Sequence, residues 1–170
     1  MNDITIAPAH TGDLAALREI ELAAFETLRT AGAVSDEPVA SSLEDLERLS
    51  REGLLLVAFT ADQQPVGFAG AQIEDNWLHI AEMDVHPAWQ RKGIGRQLLR
   101  ALLSAGERRG LAGASLTTDR YAPFNAAFYA SLGFEQINAD ALSARLKGLI
   151  DAETASGLDA NRRIAMHRYY

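Results

Sequence analysis

The segment from Gln90 to Gly95 combines residue types that suit phosphate binding. It has the sequence Gln-Arg-Lys-Gly-Ile-Gly and is followed by a strongly periodic helical pattern. Gly93 and Gly95 have no Cβ, so a ligand can approach the backbone closely. The first turn of the following helix offers unpaired backbone N–H groups at the positive end of the helix dipole. Arg91 and Lys92 add positive charge, and the segment therefore predicts binding of a phosphate or diphosphate.

Two common phosphate-binding patterns do not fit this loop. A dinucleotide-binding fingerprint has a third glycine where this chain has Leu98, and it normally follows an early parallel strand. A nucleoside-triphosphate loop continues with Gly-Lys-Ser/Thr, whereas Arg96 and Gln97 follow the second glycine here. A helix-start turn with two incidental glycines remains an alternative, because short glycine motifs often occur by chance.

The composition excludes several kinds of chemistry. The chain has 170 residues, a formal net charge of -7 and no cysteine. Without cysteine there can be no disulfide, thiolate metal site or cysteine nucleophile. The negative charge disfavours nucleic acid as a partner, since binding to phosphate backbones needs a basic surface. The four histidines are scattered without the spacing of metal ligands, so we expect no metal.

We expect a cytoplasmic protein that does not associate with membranes. No stretch approaches the roughly 18 consecutive apolar residues that a membrane-spanning helix needs. The first residues also lack the basic and apolar regions of a secretory signal. The acidic surface favours either a cationic partner or simply solubility.

The hydrophobic pattern predicts one α/β (α+β) domain over residues 1–170, a mixed sheet with helices on its faces. Short apolar runs predict strands at residues 4–7, 54–60, 66–73, 77–85, 114–118, 134–137 and 162–169. Apolar residues at helical spacing predict helices at residues 14–28, 42–52, 94–110, 123–132 and 142–155, with a loop at 32–38. An exposed final strand would offer an edge for homodimer pairing.

Two segments resemble the motifs of the GNAT N-acetyltransferases. Residues 82–99 are similar to that family's acetyl-CoA-binding motif, a strand followed by Gln/Arg-x-x-Gly-x-Gly/Ala. Residues 125–134, Asn-Ala-Ala-Phe-Tyr-Ala-Ser-Leu-Gly-Phe, are similar to its second motif. The motifs have the usual order and separation, and the resemblance covers nearly the whole chain. It implies acetyl-CoA as cosubstrate and a mostly antiparallel central sheet in which one strand pair splays apart at the cofactor site.

The resemblance also implies which residues bind the cofactor. The strand segment Met83, Asp84 and Val85 would bind the pantetheine arm through its backbone, and Asn125 would bind the same arm. The pyrophosphate would be held by seven consecutive residues, which are Gln90, Arg91, Lys92, Gly93, Ile94, Gly95 and Arg96.

Tyr129 and Glu82 are the predicted catalytic acid and base. An amine must lose a proton before it attacks, and a coenzyme A thiolate leaves better when it is protonated. Tyr129 lies one helical turn after Asn125, so both side chains should face the cofactor. Glu82 and Asp84 alternate onto one face of their strand, where the family often places an acidic residue. A tyrosine that only packs, a solvated strand face and other carboxylates of the region are the alternatives.

The expected activity is transfer of an acetyl group from acetyl-CoA to a primary amine by direct attack in a ternary complex. The acidic charge favours a small cationic amine as acceptor, although a peptide amine is also open. A protein N-terminal or lysine acetyltransferase and a non-catalytic acyl-CoA-binding or sensor module are alternatives. The segment 138–161 exceeds a simple hairpin and predicts either a lid or an added helix.

Overall fold

Within the described residues, seven strands form one mixed sheet on which five α-helices pack. The computed structural model describes residues 3–30, 32, 40–122 and 125–170, and only the backbone of Leu28. The strands are β1 (Thr5–Pro8), β2 (Leu54–Phe59), β3 (Pro65–Glu74), β4 (Trp77–Val85), β5 (Gly113–Asp119), β6 (Glu135–Gln136) and β7 (Arg163–Tyr169). The helices are α1 (Leu14–Thr30), α2 (Leu43–Glu52), α3 (Ile94–Arg108), α4 (Ala126–Ala130) and α5 (Ala144–Ala155).

The strand order is β1-β2-β3-β4-β5-β7-β6. Every neighbouring pair is antiparallel except β4 and β5, which are parallel and joined through α3. The predicted fold class, a mostly antiparallel mixed sheet with helices on both faces, is confirmed. None of the described helices is both long and apolar enough to cross a membrane.

Separate apolar cores cover the two faces of the sheet. Helix α3 buries Leu98, Leu99 and Leu102 completely against one face. Helices α1 and α2 bury Leu17 and Leu46 completely against the other. In each helix, buried leucines recur at intervals of three or four residues, as from Leu98 or Leu99 to Leu102. This spacing forms one apolar stripe per helix and explains why the sequence pattern predicts these elements.

A β-bulge in β4 decides which side chains face which helix. The pairing with β3 skips Ala81, which therefore is an extra residue in the strand. Ile80 before the bulge and Met83 after it both contact the α3 core. Because side chains alternate along a strand, Glu82 and Asp84 consequently face the α1 side.

The final strand does not lie at an edge of the sheet, so that prediction is wrong. β7 pairs with β5 along its whole length and with β6 on its other side, while β1 and the two-residue β6 form the edges. An antiparallel strand that returns at the end of a chain can be inserted between earlier strands, which local sequence does not reveal. The position of the final strand therefore does not support homodimer pairing, and the homodimer itself stays a prediction.

The segment 138–161 contains an added helix, α5, capped by the Ser143 hydroxyl, which accepts from the N–H of Leu146. Leu146 is buried, so this helix packs on the sheet. Residues 33–38 of the predicted loop lie outside the described residues. So do Pro123 and Phe124 at the predicted start of α4.

Candidate active site

The strands β4 and β5 separate after three residue pairs. Their parallel pairing joins Trp77–His79 to Gly113–Ser115 only, although β4 continues to Val85 and β5 to Asp119. β5 remains paired with β7 over its full length, so the gap opens between β4 and β5. Backbone N–H and C=O groups of β4 beyond His79 face this gap without a neighbouring strand. The predicted splayed pair is confirmed.

The last paired position before the gap is a buried polar contact. His79 Nδ1 lies 3.0 Å from Ser115 Oγ, and both residues are buried. Burial, together with the nearby Arg145 charge, lowers the pKa of His79 to about 4, so its imidazole is neutral at physiological pH. Arg145 of α5 donates to the same Ser115 Oγ at 3.2 Å. The contact fixes the point at which the two strands part.

A tight turn and a left-handed glycine place the loop at the end of β4. Pro87 ends the strand and opens a single 3₁₀ turn. Gln90 Nε2 then donates to the carbonyl of Val85 at 2.9 Å, which ties the loop to the strand end. Gly93 caps α3 with φ of 81°, a left-handed conformation that favours glycine. The chain can therefore turn directly from the strand into the helix.

The first turn of α3 presents free backbone donors to the cleft. The first helical hydrogen bond runs from the N–H of Gln97 to the carbonyl of Gly93 at 3.1 Å, so the N–H groups of residues 94–96 have no partner in the helix. A Cβ at Gly93 would meet nothing within 4 Å, and one at Gly95 would meet Phe128 at 3.8 Å. The two glycines therefore leave the approach to these amides open to an anionic group.

The basic side chains of the loop do not all point into the cleft. Arg91 and Arg96 line it, and Arg96 also donates to Ser131 Oγ at 2.8 Å. Lys92 instead turns back, and its Nζ donates to the carbonyl of Ala88 at 3.1 Å. Of the seven residues predicted to hold a pyrophosphate, Lys92 is the one that does not line the cavity.

Helix α4 brings Asn125 and Tyr129 to the same cleft. The N–H of Tyr129 donates to the carbonyl of Asn125 at 3.1 Å, and both residues line the cavity. The Tyr129 ring packs edge-on against Phe128, with centroids 5.3 Å apart. Burial and the nearby Asp84 carboxylate raise the pKa of the Tyr129 hydroxyl, whereas the Arg163 charge opposes that change. The hydroxyl is therefore protonated at neutral pH and can donate.

Three carboxylates meet on the α1 side of the gap. One carboxylate oxygen from each of Glu21, Glu82 and Asp84 lies within 4.8 Å of the other two. Burial raises the pKa of Glu82 well above its usual range, and the Asp84 charge raises it further. Burial and then Glu21 raise the pKa of Asp84 to about 7. None of the three forms an ion pair with a described arginine or lysine, so no nearby cation of the described residues offsets these upward pKa shifts by direct pairing.

The sequence analysis does not identify Glu21. It occupies a position in the apolar stripe of α1, four residues after Leu17 and three before Ala24, both of which are buried. Its carboxylate accepts from the backbone N–H of Ser41 at 2.9 Å. Burial raises the pKa of Glu21. A carboxylate within a buried stripe is the signal that could have found it.

One cavity of about 930 Å³ joins these groups. The predicted residues that line it are Glu82, Met83, Asp84, Val85, Gln90, Arg91, Gly93, Ile94, Gly95, Arg96, Asn125 and Tyr129. Thr117 and Arg163 also line it but are not predicted from the sequence, because they come from strands far along the chain. A splayed strand, free helix amides, an acidic group and a tyrosine hydroxyl thus share one space, an arrangement that suits group transfer from an extended donor that carries a phosphate or diphosphate.

Comparison with known proteins identifies the family. The model of the acetyltransferase (GNAT) family matches residues 14–134, which is more than half of the chain. The chain belongs to this family, and it is an acetyl-CoA-dependent N-acetyltransferase.

Solved structures with low sequence identity have the same fold. The ribosomal-protein-S18-alanine N-acetyltransferase of Escherichia coli is 22% identical with a TM-score of 0.72, over 98% of this chain and 94% of that one. The PaiA N-acetyltransferase of Thermoplasma acidophilum, in complex with coenzyme A, is 20% identical with a TM-score of 0.73, over 99% of both chains. A GNAT family acetyltransferase of Brucella melitensis, in complex with acetyl-CoA, is 26% identical with a TM-score of 0.60, over 79% of this chain and 84% of that one.

Proposed function

We propose that residues 1–170 form a single domain that transfers the acetyl group of acetyl-CoA to the primary amine of a small cationic acceptor, by direct attack in a ternary complex. The observation that carries this proposal is the position of the gap between β4 and β5. Backbone donors of α3 lie on one side of the gap and carboxylates lie on the other side, within one cavity. The single domain is supported by β1 and β7, which belong to the same sheet.

The donor half of the cavity is suited to coenzyme A. The N–H groups of residues 94–96 provide convergent donors for the diphosphate, with the helix dipole behind them. No strand pairs with the backbone of Met83, Asp84 and Val85 on the side of the gap. The Val85 carbonyl accepts from Gln90 Nε2, and the other backbone groups that point away from β3 suit the amides of a pantetheine arm. Asn125 lines the same cavity, which supports a role for it in holding the same arm. The neighbours from Thermoplasma acidophilum and Brucella melitensis bind coenzyme A and acetyl-CoA, which supports this assignment.

Glu82 and Tyr129 would move the two protons of the reaction. The raised pKa of Glu82 makes its carboxylate a stronger base than an ordinary glutamate, which favours its role in taking the proton of the acceptor amine. Tyr129 holds its proton at neutral pH and can give it to the departing thiolate. Both residues line the same cavity, as an acid and a base that serve one reaction must.

A cationic acceptor would complete the charge balance of the α1 side. Glu82 and Asp84 line the cavity there, and Glu21 lies close behind them. These carboxylates have no ion-pair partner among the described arginines and lysines. An ammonium group would supply the missing opposite charge at short range, where Coulomb attraction is strongest.

An acceptor panel tests the proposal. The purified chain is assayed for thiol release from acetyl-CoA with spermidine, lysine, a neutral amine and peptides with free N-termini. We expect the small cationic amines to give the highest kcat/KM. Tyr129→Phe should lower kcat about 100-fold, the size of a lost acid catalyst. Tyr169→Phe is the matched control, since that tyrosine is 65% exposed and lies outside the cavity.

The remaining outcomes identify the alternatives. Faster acetylation of peptide N-termini or lysines than of free amines would make the chain a protein acetyltransferase. Tight coenzyme A binding without turnover would make it an acyl-CoA sensor. Turnover by Tyr129→Phe at the parental rate would refute the role of that hydroxyl.

A further inference from the structure

Helix α5 forms side-chain hydrogen bonds with β5 at two positions along the strand. Near its start, Arg145 donates to Ser115 Oγ at 3.2 Å, at the last paired position before the strands part. Near its end, Glu153 accepts from Thr117 Oγ1, two residues further along β5 and already beside the gap. The helix therefore spans the point at which β5 leaves β4.

The second attachment is a closed ring of three side chains. Thr117 of β5 donates to Glu153 Oε1, and Arg163 Nε of β7 donates to Glu153 Oε2 at 3.0 Å. Arg163 also donates through a terminal nitrogen to Thr117 Oγ1 at 3.1 Å. The side chains of Arg163 and Glu153 are only 14% and 27% exposed, so solvent screens their attraction less than at an open surface. The ring thus joins α5, β5 and β7 by charge-assisted hydrogen bonds.

The ring lies on the acceptor side of the cavity. Leu116 belongs to the α3 core, so Thr117, the next residue of β5, faces the opposite side. That is the side of Glu82 and Asp84. Thr117 and Arg163 line the cavity, whereas Glu153 does not and reaches it only through them.

The charge of Arg163 affects whether a cationic group can bind in the half of the cavity that contains Glu82 and Asp84. The other basic residues of the lining, Arg91 and Arg96, belong to the cofactor loop. An uncompensated Arg163 would repel an ammonium group that approaches the carboxylates. Glu153 pairs with that guanidinium and removes most of the repulsion, while the ring keeps it against the wall.

We infer that Glu153 is a positioning residue for the acceptor: it fixes Arg163 and Thr117 in the wall of the acceptor half and neutralises Arg163, which lets a cationic amine bind. The predicted effect of the Arg163 charge on acceptor binding rests on the proposed function. The stabilisation of β5 and β7 by Glu153 does not, and it can be measured without any substrate.

Steady-state kinetics test the charge effect. Glu153→Gln keeps the shape of the side chain and removes its charge, and Asp151→Asn is the control, an exposed carboxylate on the same helix. With spermidine and acetyl-CoA, Glu153→Gln should raise the acceptor KM about 10-fold, the loss expected for one uncompensated charge, and leave the acetyl-CoA KM within about twofold. Salt at 0.5 M should reduce the difference, since it screens the repulsion.

Hydrogen exchange of the free protein tests the bracing. Glu153→Ala should speed amide exchange at residues 117–119 and 163–165, and leave residues 113–115 and 167–169 unchanged, because only the splayed end loses its brace. The inference is overturned if Glu153→Gln leaves the acceptor KM unchanged, if both KM values rise together, or if exchange rises evenly along β5 and β7. If the parent acetylates no amine, the proposed function fails, while the exchange pattern still decides the bracing.

Discussion

Replacing Asp84 by asparagine should stabilise the protein at alkaline pH and have little effect in acid. Burial and Glu21 raise the pKa of Asp84 from 3.8 to about 7. A carboxyl group whose pKa is higher in the folded state than in the unfolded state destabilises the fold once it must ionise. The free energy of unfolding therefore falls as the pH rises from about 4 to about 7, and this loss stays constant above that range. The difference between these two pKa values, about 3, sets an upper limit of about 4 kcal/mol on the free energy of unfolding that the variant can gain.

The measured gain should be about half that limit, roughly 2 kcal/mol at pH 8, because Asp84 is partly exposed and shares its protons with Glu82 and Glu21. Urea unfolding followed by circular dichroism at pH 4 and pH 8 measures the difference between parent and variant. Asp151→Asn, on the surface of α5, is the control. A gain that is equal at both pH values, or a loss at pH 8, would refute a partly desolvated carboxylate at position 84 that is repelled by its neighbours.

Two glycines give predictions that separate folding from binding. At Gly113 a Cβ would clash with the carbonyl oxygen of Arg168 and lie 2.7 Å from the Trp77 ring. Gly113→Ala should therefore cost about 2 kcal/mol of stability in urea unfolding, and unchanged stability would contradict the close pairing of β5 and β7.

At Gly95 a Cβ meets only ordinary contacts, with Phe128 at 3.8 Å, and lies in the first turn of α3. Gly95→Ala should keep the melting temperature but weaken coenzyme A binding at least about fivefold in calorimetry, and parental affinity would place the diphosphate elsewhere.

Much of the donor half of the site is predictable from the sequence. The strand, the proline turn, the glycine at the helix start and the helix are consecutive in the chain, so their local geometry follows from the order of residues. The same holds for Asn125 and Tyr129, which one helical turn brings to the same side. The exception is Lys92, whose long side chain has a choice of partners and turns to the carbonyl of Ala88.

The acceptor half is not predictable in this way. Glu21 is about sixty residues from Glu82 in the chain, and only the packing of α1 on the sheet brings their carboxylates together. The bulge at Ala81 also matters, since without it Glu82 would face α3. Glu153 meets Arg163 because β7 is inserted between β5 and β6 rather than placed at the edge.

The sequence by itself determined the elements and the glycine-containing turn between β4 and α3, because backbone geometry and helical periodicity act over a few neighbouring residues. The tertiary structure alone decided where β4 and β5 part, which carboxylates lie together and which helix contacts β5 and β7 beside the gap. These features depend on distances between residues far apart in the chain, and desolvation and Coulomb attraction act through space rather than along it.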